Sequence, residues 1–236
     1  MYNAKILLAD DDFDISGVIK KYLEAAGYIV DHCSDGETAW KKFQRDNFDI
    51  CLLDIVMPKK DGFELAEDIR RRNGLVPIIF LSSERVQDDD KLNGFRLGAD
   101  DYIIKPLSMR ELLLKIRVFQ RRTASYMVSE GGDRQRLGNL MLDYNLLEIQ
   151  DADCVTLYTV TPREGLLLRY LVNNSNKILK REEILLKVWG KEGFFTGRSM
   201  DVFVAKLRRK LKTDPRIVLE TLHNIGLRLN VPKELM

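Results

Sequence analysis

Four carboxylates, Asp10, Asp11, Asp12 and Asp14, crowd into KILLADDDFD, residues 5–14, directly after the apolar run Ile6-Leu7-Leu8-Ala9. Like charges this close repel, so the cluster needs a physical reason. A solvated acidic turn is the plainest one. A calcium-binding loop is a second, because Asp10, Asp12 and Asp14 alternate as its first ligands would. Such a loop places Gly at its sixth position and Glu at its twelfth, where this chain has Ile15 and Lys21. A third reading, a magnesium and phosphoryl site, needs partners from elsewhere in the chain.

Those partners depend on the elements that carry them. Through residue 122 short apolar runs (Lys5–Ala9, Tyr28–Cys33, Ile50–Leu53, Pro77–Leu81, Tyr102–Ile104) alternate with amphipathic stretches (Ile15–Ala26, Ala39–Phe43, Glu64–Arg72, Glu111–Phe119). Ser34-Asp35-Gly36-Glu37 and Ser108-Met109-Arg110-Glu111 fit capping boxes at helix starts. The pattern predicts an α/β fold, a doubly wound five-stranded parallel sheet. Such sheets bind ligands beyond the carboxyl ends of their strands. Asp10-Asp11, Asp54, Ser82 and Lys105-Pro106 all fall at predicted strand ends. Three carboxylates, a hydroxyl and an ammonium from four segments therefore meet on one edge.

This set suits phosphorylation of a carboxylate. Magnesium takes carboxylate oxygens, keeps several waters and accepts phosphate oxygens. Asp54 is placed to attack phosphorus and form an acyl phosphate. Lys105 and the metal would stabilise the phosphoryl oxygens, and Ser82 would donate to one of them. Taken singly, Asp54 reads as a strand-end cap, Ser82 as a turn and Lys105 as a surface group; their coincidence is the signal. An aspartyl-phosphate hydrolase would use a similar strand-end Asp. The haloacid-dehalogenase pattern, however, needs a second Asp two residues on, where this chain has Val56.

The motifs LADDD, LLDIVMPKKDG, PIIFLSSE and GADDYIIKPL resemble the receiver domain of bacterial two-component response regulators across about residues 3–122. The resemblance implies that Asp54 takes phosphate from a histidine kinase. It implies a Mg2+ site formed by Asp11 and Asp54, the Val56 backbone carbonyl and, through water, Asp10. Ser82 and Tyr102 match the switch positions, Lys105 the essential lysine, and a cis peptide is usual before the proline matching Pro106. Ser83 departs from the small apolar residue common after the switch hydroxyl.

The back half differs in charge. Residues 1–122 hold 20 basic and 22 acidic residues, a net of −2, and residues 137–236 hold 16 and 12, a net of +4. Thr123–Arg136 lacks periodicity, contains Gly131-Gly132 and reads as a linker between domains 1–122 and 137–236. Leu137–Leu157 reads as short antiparallel strands. Thr161-Pro162-Arg163-Glu164 starts a helix with a capping box and an early proline. Helices near Lys180–Val188 and Arg198–Leu211 and a hairpin over Ile217–Val231 follow. Arg198–Lys212 carries six basic residues and one acid. Met200, Val204, Leu207 and Leu211 share a narrow face, with Arg198, Val202, Ala205, Lys206 and Arg209 roughly opposite. The helix reads either as an ordinary solvated amphipath or as a DNA recognition helix.

This order of elements resembles the winged helix-turn-helix effector domain of the OmpR/PhoB subfamily over about residues 137–232. The resemblance implies double-stranded DNA contacts from Arg198, Ser199, Val202, Lys206, Arg208, Arg209, Thr221 and His223. It implies RNA polymerase contacts from residues 191–197 and a wing at the hairpin. His223 stands where arginine is common, Asn224 where glycine is, Leu227 where an aromatic is frequent and Phe203 where a polar phosphate-contacting residue is frequent. It also implies homodimerisation on phosphorylation through Lys91, Asp100, Asp101, Glu111, Arg117 and Arg122. Mixed charges suit a self-complementary two-fold contact; the alternative is salt bridging within one monomer. The expected function is a phosphorylation-controlled transcription regulator and not a turnover enzyme. A regulator that binds DNA without phosphorylation is the competing reading.

Composition bounds these readings. The chain has 236 residues, enough for two domains, and is 45% apolar and 8% aromatic, as packed cores require. No basic-then-apolar leader and no run of membrane-spanning length is evident, so a cytoplasmic protein with no membrane partner is expected. Cys33, Cys51 and Cys154 read as small core residues in a reducing compartment. With His32 and His223 the only histidines, a histidine-based zinc site is not expected.

Overall fold

The alternating half forms five strands and five helices. In the computed structural model, which describes residues 4–83, 88–125, 134–189, 197–223 and 225–232, the chain divides into two compact units, Met1–Arg122 and Thr123–Met236. The first contains β1 (Lys5–Ala9), α1 (Phe13–Ala25), β2 (Ile29–Cys33), α2 (Gly36–Arg45) and β3 (Ile50–Asp54). Next come α3 (Gly62–Arg72), β4 (Ile78–Ser83), α4 (Asp88–Leu97), β5 (Asp101–Lys105) and α5 (Met109–Ser125). The strands run parallel in the order β2-β1-β3-β4-β5. Helices cover both faces, so the central strands bury both of theirs, and near-continuous apolar runs result. Ile6, Leu8, Ile50, Leu52, Ile79, Leu81 and Ile103 on one face pack with Ile19 and Leu23 of α1 and Leu112, Ile116 and Phe119 of α5.

Some local expectations shift. The N-cap of α2 is Asp35, not Ser34: its carboxylate accepts from Thr38 N at 2.8 Å, a reach that places the helix one residue later. Ser108 does cap α5, with Glu111 N donating to its hydroxyl. α5 continues to Ser125 and the next strand begins at Arg134, so both ends of the expected linker belong to regular elements. No helix among the described residues is long and apolar enough to cross a membrane.

The second unit opens with a four-stranded antiparallel sheet, β6 (Arg134–Leu137), β7 (Leu140–Asp143), β8 (Glu148–Gln150) and β9 (Thr156–Thr159). Cys154 lies in the β8–β9 connection with φ 61° and is exposed, unlike the buried Cys33 and Cys51; the turn, not a core, holds it. α6 (Pro162–Asn173) starts with the full Thr161–Glu164 capping box and Pro162 in its first turn. β10 (Leu179–Lys180) leads into α7 (Arg181–Ile184) and a wider π-helical turn, Leu185–Trp189. Arg163 is buried beneath that turn, donating to the Val188 carbonyl at 2.6 Å and facing the Trp189 ring. α8 (Gly197–Leu211) precedes the hairpin β11 (Val218–Leu222) and β12 (Gly226–Asn230), which joins β10 in a three-stranded sheet.

Candidate functional site

The acidic turn has a division of labour. Asp12 caps α1, accepting from Asp14 N and Ile15 N, each at 3.0 Å. Asp14 sits in the first turn, where the helix dipole favours a negative charge. Asp10 and Asp11 turn instead toward Asp54: ligand atoms of the three lie within 4.8 Å of one another. β1 and β3 are neighbours with Ala9 opposite Leu53, so adjacent strand ends deliver two of these carboxylates together.

Lys105, at the end of β5, supplies the opposing charge. Its Nζ donates to Asp54 Oδ2 at 2.6 Å and lies 2.9 Å from Asp10 Oδ2. Burial works against the ammonium, but its bonds to Asp54 and Asp10 outweigh that and raise its pKa above the ordinary lysine value. Burial holds Asp10 above the usual carboxylate range; Lys105 pulls the other way and Asp54 adds to the upward push. Among the described residues one ammonium thus meets two of the three carboxylates, and the donor set suits a hard divalent cation. The Lys105–Pro106 peptide is cis.

The hydroxyl of Ser82 is buried without a hydrogen-bond partner among the described residues. Tyr102 packs its ring against Phe80 and Phe95, with centroids 5.1 and 4.8 Å away. Its hydroxyl lies over Gly94 of α4, where a Cβ would come within 1.6 Å of it. Val56 is exposed beside the site and its N–H reaches Asp54 Oδ1 at 3.4 Å. The following loop is pinned by residues that the sequence reading did not single out. Lys59, at φ 67°, pairs with Asp35 at 2.8 Å. Gly62 lies so close that a Cβ would meet the Asp54 carbonyl oxygen at 2.1 Å. The DG pair after the lysines was a visible signal for that turn.

The mixed-charge face is altered at two positions. Asp100 and Asp101 are buried, not surface groups. Asp100 accepts from Arg70 at 2.6 Å and Ile78 N at 3.0 Å, and Asp101 pairs with Lys115 at 2.9 Å. Both charges find partners inside the unit, where a buried carboxylate needs them. Glu111 is partly exposed and Arg117 exposed. Lys91 lies in α4 and Arg122 in α5, with side chains outside the description.

On α8 the apolar face is wider than expected. Met200, Phe203, Val204, Leu207 and Leu211 are all buried, and Phe203 meets Trp189 at 5.6 Å; it is a core residue. Lys206 does not point outward. It is largely covered and lies 3.5 Å from Glu164 of α6, which Lys210 also pairs with. Arg208 donates to the Leu219 carbonyl at 2.9 Å and to the Thr221 hydroxyl at 2.8 Å, tying α8 to the hairpin. Asp201 pairs with Arg181 at 2.9 Å. Ala205 and Arg209 are exposed and Val202 is half-buried. His223 is exposed at the hairpin turn. Arg198 and Ser199 lie in α8 with side chains outside the description, as do residues 191–196 and Asn224 entirely.

Comparison with known proteins agrees with both units. Residues 6–117 match the response regulator receiver domain, and residues 156–229 match the C-terminal domain of transcriptional regulatory proteins. The chain is 38% identical over 229 residues to transcriptional regulatory protein RprY of Bacteroides fragilis, covering 97% of this chain and 95% of that one. It is 32% identical over 235 residues to SrrA of Staphylococcus aureus, covering 96% and 95%. The crystal structure of response regulator DrrB, a Thermotoga maritima OmpR/PhoB homolog, shares the fold at a TM-score of 0.50 and 24% identity, covering 97% of this chain and 100% of that one. By its receiver domain the chain is classed as a signal transducer rather than a turnover enzyme. The chain belongs to the OmpR/PhoB family of two-component response regulators, a receiver domain followed by a winged-helix, DNA-binding domain that regulates transcription.

Proposed function

We propose that Asp54 is the phosphoacceptor and that its phosphorylation by a cognate histidine kinase controls DNA binding. The single observation that carries this is the convergence of Asp10, Asp11, Asp54 and Lys105 on one strand edge. Mg2+ would be held by Asp11, Asp54 and the Val56 carbonyl, with Asp10 through water, and when bound it offsets negative charge on the phosphoryl group. An Asp54 carboxylate oxygen attacks the phosphorus of a phosphohistidine; the P–N bond breaks and the imidazole leaves with its electron pair. Lys105, already on the Asp54 carboxylate, moves its charge to a phosphoryl oxygen. The Ser82 hydroxyl donates to another.

Ser82 and Tyr102 then act as the switch. Loss of the Lys105–Asp54 bond and a new acceptor for Ser82 favour a different arrangement beside α4. The α4–β5–α5 face, with Glu111 and Arg117 at its surface, supports homodimerisation. Two α8 helices would then meet half-sites about one helical turn apart. The exposed Arg209 would meet a phosphate, and Val202 and Ala205 would meet thymine methyls. The wing, with His223, lies alongside, and RNA polymerase is the partner for residues 191–197. The free thiols of Cys33, Cys51 and Cys154 suit a reducing, cytoplasmic compartment.

The test is intact-mass measurement after incubation with magnesium and a small acyl-phosphate donor. Wild type gains one phosphoryl group and Asp54→Asn gains none, because an amide is a poor nucleophile. Equal adduct on the variant would overturn the assignment. Measuring DNA affinity with and without the donor separates phosphate-controlled from phosphate-independent binding.

A further inference from the structure

Glu164 does more than close the capping box of α6. Its carboxylate is buried, its side chain 2% exposed, and it faces two cations of α8, Lys206 at 3.5 Å and Lys210. Those ammonium groups are drawn in, at 17% and 12% side-chain exposure. Lys210 is further held by the Thr159 carbonyl at 2.8 Å. Arg208 is committed to Leu219 and Thr221. Of the described α8 cations, Arg209 alone has no carboxylate or carbonyl partner among the described residues. Of the positive charge on its described side chains, α8 thus shows little to a passing phosphate backbone.

We propose that Glu164 is a specificity-determining residue of the DNA-binding unit, holding Lys206 and Lys210 in an internal ion pair that random DNA does not open. This rests on the reading that α8 enters the major groove. Non-specific binding grows with the number of cations that displace counterions from phosphates. An ammonium already neutralised by a buried carboxylate adds little to it. Releasing Lys206 weakens the compensation of a buried charge, which is unfavourable. A guanine edge, offering two acceptors to the ammonium at a fixed place, offsets that loss where a mobile, hydrated phosphate does not. Lys210 stays behind on Glu164 when Lys206 leaves, so the carboxylate is never without a cation.

Glu164→Gln tests this in the full chain, because glutamine also serves the capping box but carries no charge. Fluorescence-anisotropy titrations over a range of salt would use a random duplex and an operator obtained by selection. The variant should bind random DNA more tightly, and its plot of log affinity against log salt should steepen by about 0.9 per released lysine, close to 2 in all. The operator-to-random ratio should fall. Lys206→Met, which leaves Glu164 paired with Lys210, should keep random-DNA affinity and salt slope at wild-type values. Operator binding should weaken about tenfold with Lys206→Met, within the usual range for a lost base contact. A folded Glu164→Gln with unchanged slope overturns the proposal. A slope lowered by about 1 in Lys206→Met does so too, even if Glu164→Gln fails to fold. Wild type with no affinity for any duplex at low salt would instead remove the DNA-groove reading beneath it.

Discussion

Asp11→Asn separates the cost of the acidic pocket from its use. Ligand atoms of Asp10, Asp11 and Asp54 lie within 4.8 Å of one another, and the one ammonium beside them among the described residues serves Asp54 and Asp10. Two unit charges at that separation repel by about 0.9 kcal/mol in bulk water and about 3.5 kcal/mol at an effective dielectric of about 20. Asp11 is exposed, so the watery end applies, and Lys105 cancels part of the repulsion. Removing its charge should stabilise the metal-free unit by about 1 kcal/mol. Magnesium should reverse the order. A ligand bound only by the folded state contributes about 2.7 kcal/mol at a hundred times its Kd. If the lost carboxylate weakens Kd about thirtyfold, the variant gains only about 0.9 kcal/mol at the same concentration. It then becomes the less stable protein by about 1 kcal/mol. The assay is urea unfolding with EDTA or with magnesium, in a Trp189→Phe background. Trp40, half-buried on α2, is then the remaining tryptophan and reports the first unit. Equal gains from magnesium in both proteins, or an Asp11→Asn chain destabilised in EDTA, would refute the reasoning.

Asp100→Ala should cost about 3 kcal/mol in urea unfolding, because it strips a carboxylate from the largely buried Arg70 guanidinium and from Ile78 N; a loss under about 1 kcal/mol would contradict that role. The Lys59 ammonium, with Thr38 N, depresses Asp35 to about 2. A carboxylate lowered on folding stabilises above its unfolded pKa and loses that contribution as pH falls through the folded value. Asp35→Asn should therefore lack the part of the stability loss that wild type shows between pH about 4 and about 2, read from unfolding midpoints across pH. Gly62→Ala should lower acyl-phosphate yield and cost about 2 kcal/mol or more, since its Cβ would press on the Asp54 carbonyl at 2.1 Å; wild-type yield and stability together would count against the close approach.

Strand ends were legible because a buried parallel strand must be an apolar run, and its end is marked where polarity returns. Asp10, Asp54, Ser82 and Lys105 all stand at such breaks, and their convergence followed from topology. Side-chain destinations were less legible. The α8 wheel put Lys206 outside, yet a carboxylate 42 positions earlier pulls it in. The stripe drawn over Met200, Val204, Leu207 and Leu211 left Phe203 out, because helical periodicity places the core stripe without fixing its width, which Trp189 sets. Asp100 and Asp101 looked like surface charge until Arg70 and Lys115 supplied buried partners from α3 and α5. Each of these outcomes depends on residues distant in sequence, and none leaves a local trace.

The adjacency of β1 and β3 also limits how such a pocket can vary. Ala9 sits opposite Leu53 in a ladder whose neighbours are covered on both faces. A slip of one residue would turn every side chain of a strand to the opposite face. The separation of Asp10 from Asp54 is therefore inherited from the sheet and is nearly incompressible. What remains adjustable is the rim: Val56 and Lys59, in the loop after β3, can change without unpicking a ladder of central strands. Relatives with this scaffold would keep one chemistry and differ in tempo, with the lifetime of the modified state written in the loops and the reaction itself in the sheet.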